Sequence, residues 1–215
     1  MPYIVIKRLF DVILAFVLLI IFSPLLLLTA LSIWLYDGGP VFVENPKRIG
    51  KGGNKFFMYK FRSMIVDAHN KIEKDEAYKS KKIAKMKNCN KISSNDRELV
   101  TSVGRVIRKI DLDELPQLIN VLKGEMSIVG PRPSYEDELK IHFSKFPKDR
   151  KLLKNIWKVK PGITGIWQVS GRNDIKLHDR FKMESEYSKK QNLITDMKIL
   201  LKTPYVVFTR KGAYE

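Results

Sequence analysis

The chain has 215 residues, with 40 Lys and Arg against 23 Asp and Glu, for a formal net charge of +17. That length allows one domain with a real core, and 44% hydrophobic beside 29% charged residues excludes a disordered tail. The one cysteine, Cys89, excludes an internal disulfide framework and a cysteine-based zinc cage. The three histidines, His69, His142 and His178, are scattered and predict no histidine-rich metal site short of long-range convergence. The basic excess predicts an anionic partner: nucleic acid, anionic lipid or a phosphorylated substrate.

From Val12 to Tyr36 no residue is charged. About 25 residues at 1.5 Å each make a helix of roughly 37 Å, enough to cross a bilayer. The run is too long for a signal peptide, and no small-x-small cleavage site follows it. Ser23-Pro24 sits at its centre, where proline removes a backbone donor and predicts a kink or break. Lys7 and Arg8 precede the run, and Lys47, Arg48, Lys51 and Lys55 follow it. Basic clusters prefer the cytoplasmic side, so a straight span strands one of them. A re-entrant hairpin turning at Ser23-Pro24 puts both on that side, with Asp11 at the surface beside Lys7 or Arg8. An ordinary kinked span remains the alternative.

Asp37-Gly38-Gly39-Pro40 is a turn cluster that ends the segment. Val41-Phe42-Val43 predicts a short strand, Gly50 to Asn54 a hairpin turn and Phe56 to Phe61 the return strand. Residues 67–97 are Lys-rich and poor in large apolar side chains, as in a solvated helix and loop or an arm on anionic lipid. Leu115, Leu118, Ile119 and Leu122 recur at helical spacing over Leu112–Lys123, with Gly124 as the stop. Met126 to Val129 predicts a strand, and Gly130-Pro131-Arg132-Pro133 a stiff turn. Leu153, Ile156 and Trp157 share one face of a basic helix within 145–160, suited equally to a membrane interface or to a core. Met197, Leu200, Leu201, Tyr205 and Phe208 raise the same choice.

The chemistry lies between Arg108 and Pro133. Asp113 and Glu114 fall in the first turn of the predicted helix, with Pro116 marking that turn. Carboxylates there face unpaired amides and stay ionised. An ionised aspartate can attack phosphorus, and a neighbouring carboxylate can hold Mg²⁺. Arg108 precedes the pair, and Arg132 between two prolines offers a guanidinium matched to phosphate. Plain helix capping is the bland reading of the same two acids. Asp111-x-Asp113 also spells a metal-nucleotide motif of glycosyltransferases.

The stretch Lys109 to Pro133 closely resembles the signature of the bacterial sugar transferases called monotopic phosphoglycosyl transferases. Lys7-Arg8 with Asp11 and Ser23-Pro24 resemble the family's amino-terminal motif and re-entrant break. Tyr59-Lys60-Phe61-Arg62-Ser63-Met64 matches a second block. Pro161-Gly162-Ile163-Thr164-Gly165 through Gln168, with Gly171-Arg172-Asn173, matches a third. The resemblance covers nearly the whole chain and is to the minimal form, which lacks an extra amino-terminal domain. Three places depart from the usual pattern: Glu44-Asn45-Pro46, Glu184, and Lys190-Gln191-Asn192. None is expected to touch the acidic pair or Pro-Arg-Pro.

The resemblance implies transfer of a sugar-1-phosphate from a UDP-sugar to undecaprenyl phosphate, with release of UMP, at the cytoplasmic face of the bacterial inner membrane. Asp113 matches the nucleophile and Glu114 its Mg²⁺-holding neighbour. Lys60, Arg108 and Arg132 match phosphate-binding positions, Arg172 the nucleotide-sugar end, and Arg62 is a further substrate-binding candidate. No nucleic acid is expected as a partner. The Lys211-Gly212-Ala213-Tyr214 ending resembles hexose-phosphate transferases of exopolysaccharide or O-antigen pathways, which favours galactose or glucose. The fold expected is α/β of the α+β kind. Residues 1–37 form a re-entrant membrane helix hairpin. Residues 38–215 form a mainly helical catalytic domain with a short β-hairpin, interfacial amphipathic helices and a basic variable insert at about 67–97. Two other readings stay open: a metal-dependent UDP-sugar glycosyltransferase using Asp111-x-Asp113, and a non-catalytic membrane-anchored anion-binding module.

Overall fold

The computed structural model describes residues 2–43, 47–68, 96–210 and 212. Most of the basic insert, including His69 and Cys89, and all of Glu44-Asn45-Pro46 lie outside the described residues.

The apolar run forms one helix, α1 (Pro2–Ser32), continued by a π turn at Ile33–Asp37. The hairpin turn expected at Ser23-Pro24 is not formed; helix runs through the proline. A local hydrogen bond helps explain this. Pro24 has no amide to give the Ile20 carbonyl one turn back, and Ser23 Oγ donates to that carbonyl at 2.8 Å instead. Most of the helix is exposed, including Leu9, Phe16, Ile20 and Leu27.

Both ends of α1 are tied to the rest of the molecule. Near its start, Lys7 pairs with Asp196 at 2.6 Å, and Arg8 donates to the Val121 and Leu122 carbonyls at 2.6 and 3.0 Å. Asp11, expected at the surface, is buried. Its Oδ2 accepts from Ser127 Oγ at 2.7 Å and its Oδ1 from the Ile128 amide at 3.1 Å. The expected pairing with Lys7 is present but long, at 3.9 Å. At the far end, Asp37 accepts from the Val103 amide, and Ile33 is fully buried.

The remaining elements are short. Strands β1 (Arg48–Ile49) and β2 (Lys55–Phe56) form the expected hairpin around Gly50–Asn54. The first strand lies later than Val41-Phe42-Val43, where only Phe42 bridges to Phe61. Helix α2 (Ser102–Lys109) is capped by Thr101, whose side chain accepts from the Gly104 amide at 2.9 Å. Helix α3 (Gln117–Lys123) stops at Gly124, in the left-handed conformation at φ 81°. Strands β3 (Ser127–Val129) and β4 (Ser134–Tyr135) follow, then α4 (Glu136–Lys145) and α5 (Arg150–Ile156). Strand β5 (Gly162–Thr164), α6 (Ile166–Ser170), α7 (Leu177–Lys190) and α8 (Leu193–Thr209) complete the described elements. β4 adds to the hairpin in the order β2-β1-β4, all antiparallel, while β3 and β5 run parallel. The fold is thus mostly helical with small sheets.

Three apolar clusters position the site. Ala15 and its neighbours on α1 pack on Leu118 and Val121 of α3, Ile128 of β3 and Ile199 of α8. Leu26, Ala30 and Ile33 pack on Phe61, Ile107 and Leu112. Leu139, Phe143, Leu153, Ile156 and Phe181 form the third. Each such side chain removed from water contributes about 1.5–3 kcal/mol. The third cluster decides one choice the sequence left open. The Leu153–Ile156 face packs on a core and is not an interfacial face. α8 differs: Ile199 and Val206 are buried, while Ile194, Leu201, Tyr205 and Phe208 remain exposed on another side.

Candidate active site

The acidic pair lies in a 3-10 turn, Leu112–Glu114, ahead of the helix. The expected first helical turn is displaced because α3 begins only at Gln117, with Pro116 as its N-cap. Asp111 leads into the turn in the left-handed region, φ 54°, which aspartate tolerates better than most residues. The Asp113 carbonyl accepts from the Phe61 amide at 3.0 Å. That bond sets the Tyr59–Met64 segment beside the acids.

Lys60 bridges both carboxylates: its Nζ lies 2.8 Å from Asp113 Oδ2 and 3.1 Å from Glu114 Oε1. Arg132 approaches Glu114 Oε1 at 3.7 Å. Asp113 is 2% exposed. Burial works against the charge on Lys60, but Asp113 and Glu114 outweigh it and hold its pKa above the ordinary lysine value. Burial also opposes the charge on Arg132, and Glu114 with Glu138 reverses the effect. Arg108 is near enough to Lys60 to oppose its protonation, and its guanidinium donates to Ser63 Oγ at 3.5 Å.

The other predicted residues take different places. Arg62 is buried and donates to the Gly38 carbonyl, at the exit from α1. Arg172 pairs with Asp111 at 2.8 Å. It therefore sits against the residue that opens the acidic turn, while Asp113 is held by Lys60.

Arg132 is presented by a scaffold the sequence did not reveal. Arg180 of α7 donates to the Arg132 carbonyl at 2.8 Å and to Ser134 Oγ at 3.0 Å. It also pairs with Glu138 at 3.0 Å and Glu184 at 3.1 Å. Glu184, expected not to touch Pro-Arg-Pro, is fully buried and accepts from the Arg132 amide at 3.0 Å. Burial raises its pKa. The Arg180–Glu184 spacing of four residues was visible in the sequence as a helical pair. Its link to Glu138, 42 residues away, was not. The Arg132 and Arg180 guanidiniums lie 5.5 and 5.2 Å from the Trp167 ring centre. Two of the three histidines, His142 and His178, converge on Asp149.

A family model described as bacterial sugar transferase matches residues 2–210. The undecaprenyl-phosphate galactose phosphotransferase of Salmonella typhimurium is 42% identical over 208 residues, covering 97% of this chain and 41% of that protein. The exopolysaccharide production protein ExoY of Rhizobium meliloti is 39% identical over 208 residues, covering 97% of this chain and 88% of that protein. The UDP-N-acetylgalactosamine-undecaprenyl-phosphate N-acetylgalactosaminephosphotransferase of Aeromonas hydrophila is 37% identical over 215 residues, covering 98% and 45%. The chain thus spans under half of the first and third relatives and most of the second.

Proposed function

The chain belongs to the bacterial sugar transferase family, and from that premise we propose that it transfers a sugar-1-phosphate from a UDP-sugar to undecaprenyl phosphate through a covalent intermediate on Asp113. The observation that carries the reading is the cluster of Asp113 and Glu114 with Lys60 and Arg132. One buried aspartate with a bridging ammonium and a poised guanidinium suits two successive displacements at phosphorus.

In the first displacement an Asp113 carboxylate oxygen bonds to the sugar-bearing phosphorus. The bond from that phosphorus to the bridging oxygen breaks, and UMP leaves with the oxygen. In the second, a phosphate oxygen of the lipid attacks the same phosphorus and Asp113 departs as carboxylate. Lys60 aims the Asp113 carboxylate from 2.8 Å, and Arg132 and Arg108 hold phosphate oxygens. Glu114 offers hard oxygen donors of the kind Mg²⁺ takes and would hold the ion. Held there, the ion would neutralise charge that builds on the phosphate oxygens.

The anchor fits a lipid acceptor. Ties at both ends of α1 to one catalytic domain support a helix that dips into the cytoplasmic leaflet rather than crossing it. The exposed side of α8, with Ile194, Leu201, Tyr205 and Phe208, suits the same interface. The relatives named for galactose and exopolysaccharide transfer support a hexose donor and a role early in polysaccharide assembly.

The test is nucleotide release. Protein with UDP-galactose or UDP-glucose and undecaprenyl phosphate yields UMP; release of UDP refutes the reading. The metal-dependent glycosyltransferase alternative makes Asp111 as important as Asp113. Asp111 is instead occupied by Arg172, in a pair 14% and 22% exposed. Asp111 thus faces Arg172 rather than the Lys60 cluster, so Asp111→Asn is expected to slow turnover by less than about tenfold. A collapse in kcat/KM for that variant equal to the loss in Asp113→Asn favours the alternative.

A further inference from the structure

His142, Asp149 and His178 take no part in the reaction proposed above. They come from three places: α4, the 3-10 turn Pro147–Asp149 and the first turn of α7. Nε2 of His142 lies 2.8 Å from Asp149 Oδ2, and Nδ1 of His178 lies 2.5 Å from the same oxygen. All three atoms fall within 4.8 Å of one another. The rings are fixed by packing. Phe146 stacks on both imidazoles, with ring centres 5.1 and 5.4 Å apart, and Phe181 touches His142 at 4.8 Å.

We propose that His142 Nε2, Asp149 Oδ2 and His178 Nδ1 form a transition-metal site of the zinc type. Two imidazoles and one carboxylate are a donor set that zinc takes, with metal–ligand distances of about 2.0–2.2 Å. Ligands on a tetrahedral ion at that distance sit about 3.4 Å apart, so the existing contacts open by less than about 1 Å to admit it. The side chains of His142 and Asp149 are 2% and 8% exposed, while that of His178 is 33% exposed. The ion therefore enters past His178, and water takes the fourth position.

The ion cross-links the two helices that hold Arg132. Glu138 lies one turn before His142 on α4, and Arg180 lies two residues after His178 on α7. Those two residues pair with each other, and Arg180 grips the Arg132 carbonyl. The proposed site is thus a structural staple behind a phosphate-binding arginine, separate from the acidic pair.

The experiment uses the whole chain in detergent or nanodiscs, stripped of transition metals and kept in Mg²⁺ buffer. ZnCl₂ is titrated by calorimetry, and the thermal midpoint is followed with and without it. One equivalent of zinc is expected to bind and to raise the midpoint. Asp149→Asn keeps the size of the side chain and a hydrogen-bond acceptor but loses the anionic ligand. It is expected to weaken zinc binding about tenfold or more and to abolish the rise. His178→Ala, at the exposed ligand, serves as the second variant with the same expectation. His69→Ala and Asp113→Asn are expected to leave zinc binding unchanged. Absence of saturable binding in the native protein, or unchanged affinity in both Asp149→Asn and His178→Ala, overturns the proposal and leaves a hydrogen-bonded cluster only.

Discussion

An Asp113→Asn variant is expected to lose sugar-phosphate transfer by roughly 10⁴-fold or more, the scale seen when an enzyme loses its nucleophile. The amide nearly matches the carboxylate in shape and can still accept from Lys60, but it cannot supply an anionic oxygen to phosphorus. With donor labelled in the sugar phosphate and no lipid acceptor, the native chain is expected to hold label on the peptide containing Asp113. The variant should hold none. Label on any other residue, or turnover left intact, removes Asp113 from its assigned role. The fold should survive, because Glu114 remains 3.1 Å from the Lys60 ammonium. Losing one of the two carboxylates that offset the burial of Lys60 costs about 1–3 kcal/mol. A thermal midpoint measured beside the rate separates that cost from the chemistry.

Gly165→Ala is expected to be strongly destabilising. A Cβ there meets the Gly130 carbonyl oxygen at 2.1 Å, an atom that cannot swing aside. The φ of −175° is open to any residue, so the penalty comes from contact and not from the backbone angle. The seam is tight throughout. The Gly130 amide donates to the Thr164 carbonyl at 2.9 Å, and the Gly162 amide to the Pro131 carbonyl at 2.9 Å. Pro131-Arg132-Pro133 leaves directly from it. Forcing the β3–β5 pair apart costs about 3 kcal/mol, which lowers the thermal midpoint by about 6–12 °C for a chain of this size. The displaced Arg132 should lower kcat as well. Gly38→Ala is the contrast, because nothing lies within 4 Å of its Cβ position and only its positive φ of 61° is at stake. With ψ at 161° this is a conformation nearly reserved for glycine, and a cost of about 1–3 kcal/mol is expected there. Equal midpoints for the two variants would mean that the seam tolerates a methyl group and that the close approach is not what seats Arg132.

Local signals were readable. The turn at Gly50–Asn54 and the stop at Gly124 each depend on a few adjacent residues, and both are present. The first strand of the hairpin was misplaced because its position depends on a remote partner. Arg48 and Ile49 pair with Tyr135 and Ser134 as well as with β2, and the Arg48 guanidinium lies 3.1 Å from the Tyr135 ring centre. A buried arginine under an aromatic ring looks, in sequence, like an exposed basic residue. Ser23-Pro24 misled in a similar way. The serine that completes a helix-breaking dipeptide also supplies the hydrogen bond that the proline lacks.

The candidate site divides along the same line. Lys60, Arg108, Asp113, Glu114 and Arg132 could be named from their chemistry and from resemblance, and four of them meet within ion-pair reach, with Arg108 close to Lys60. Glu138, Arg180 and Glu184 could not, because their roles arise only when α4 and α7 pack side by side. Asp11 belongs with them. An aspartate at the head of an apolar run reads as a surface charge until β3 supplies two donors.

By itself the sequence determined the long apolar run, the acidic pair, the arginine between prolines and the family to which they belong. Those depend on residue type and short spacing, which packing does not alter. Only the tertiary structure decided that α1 is bound at both ends, that the acids sit in a 3-10 turn, and that two distant histidines share one aspartate. The first and last of these join residues far apart in the chain, and such meetings are set by how helices bury their apolar faces together.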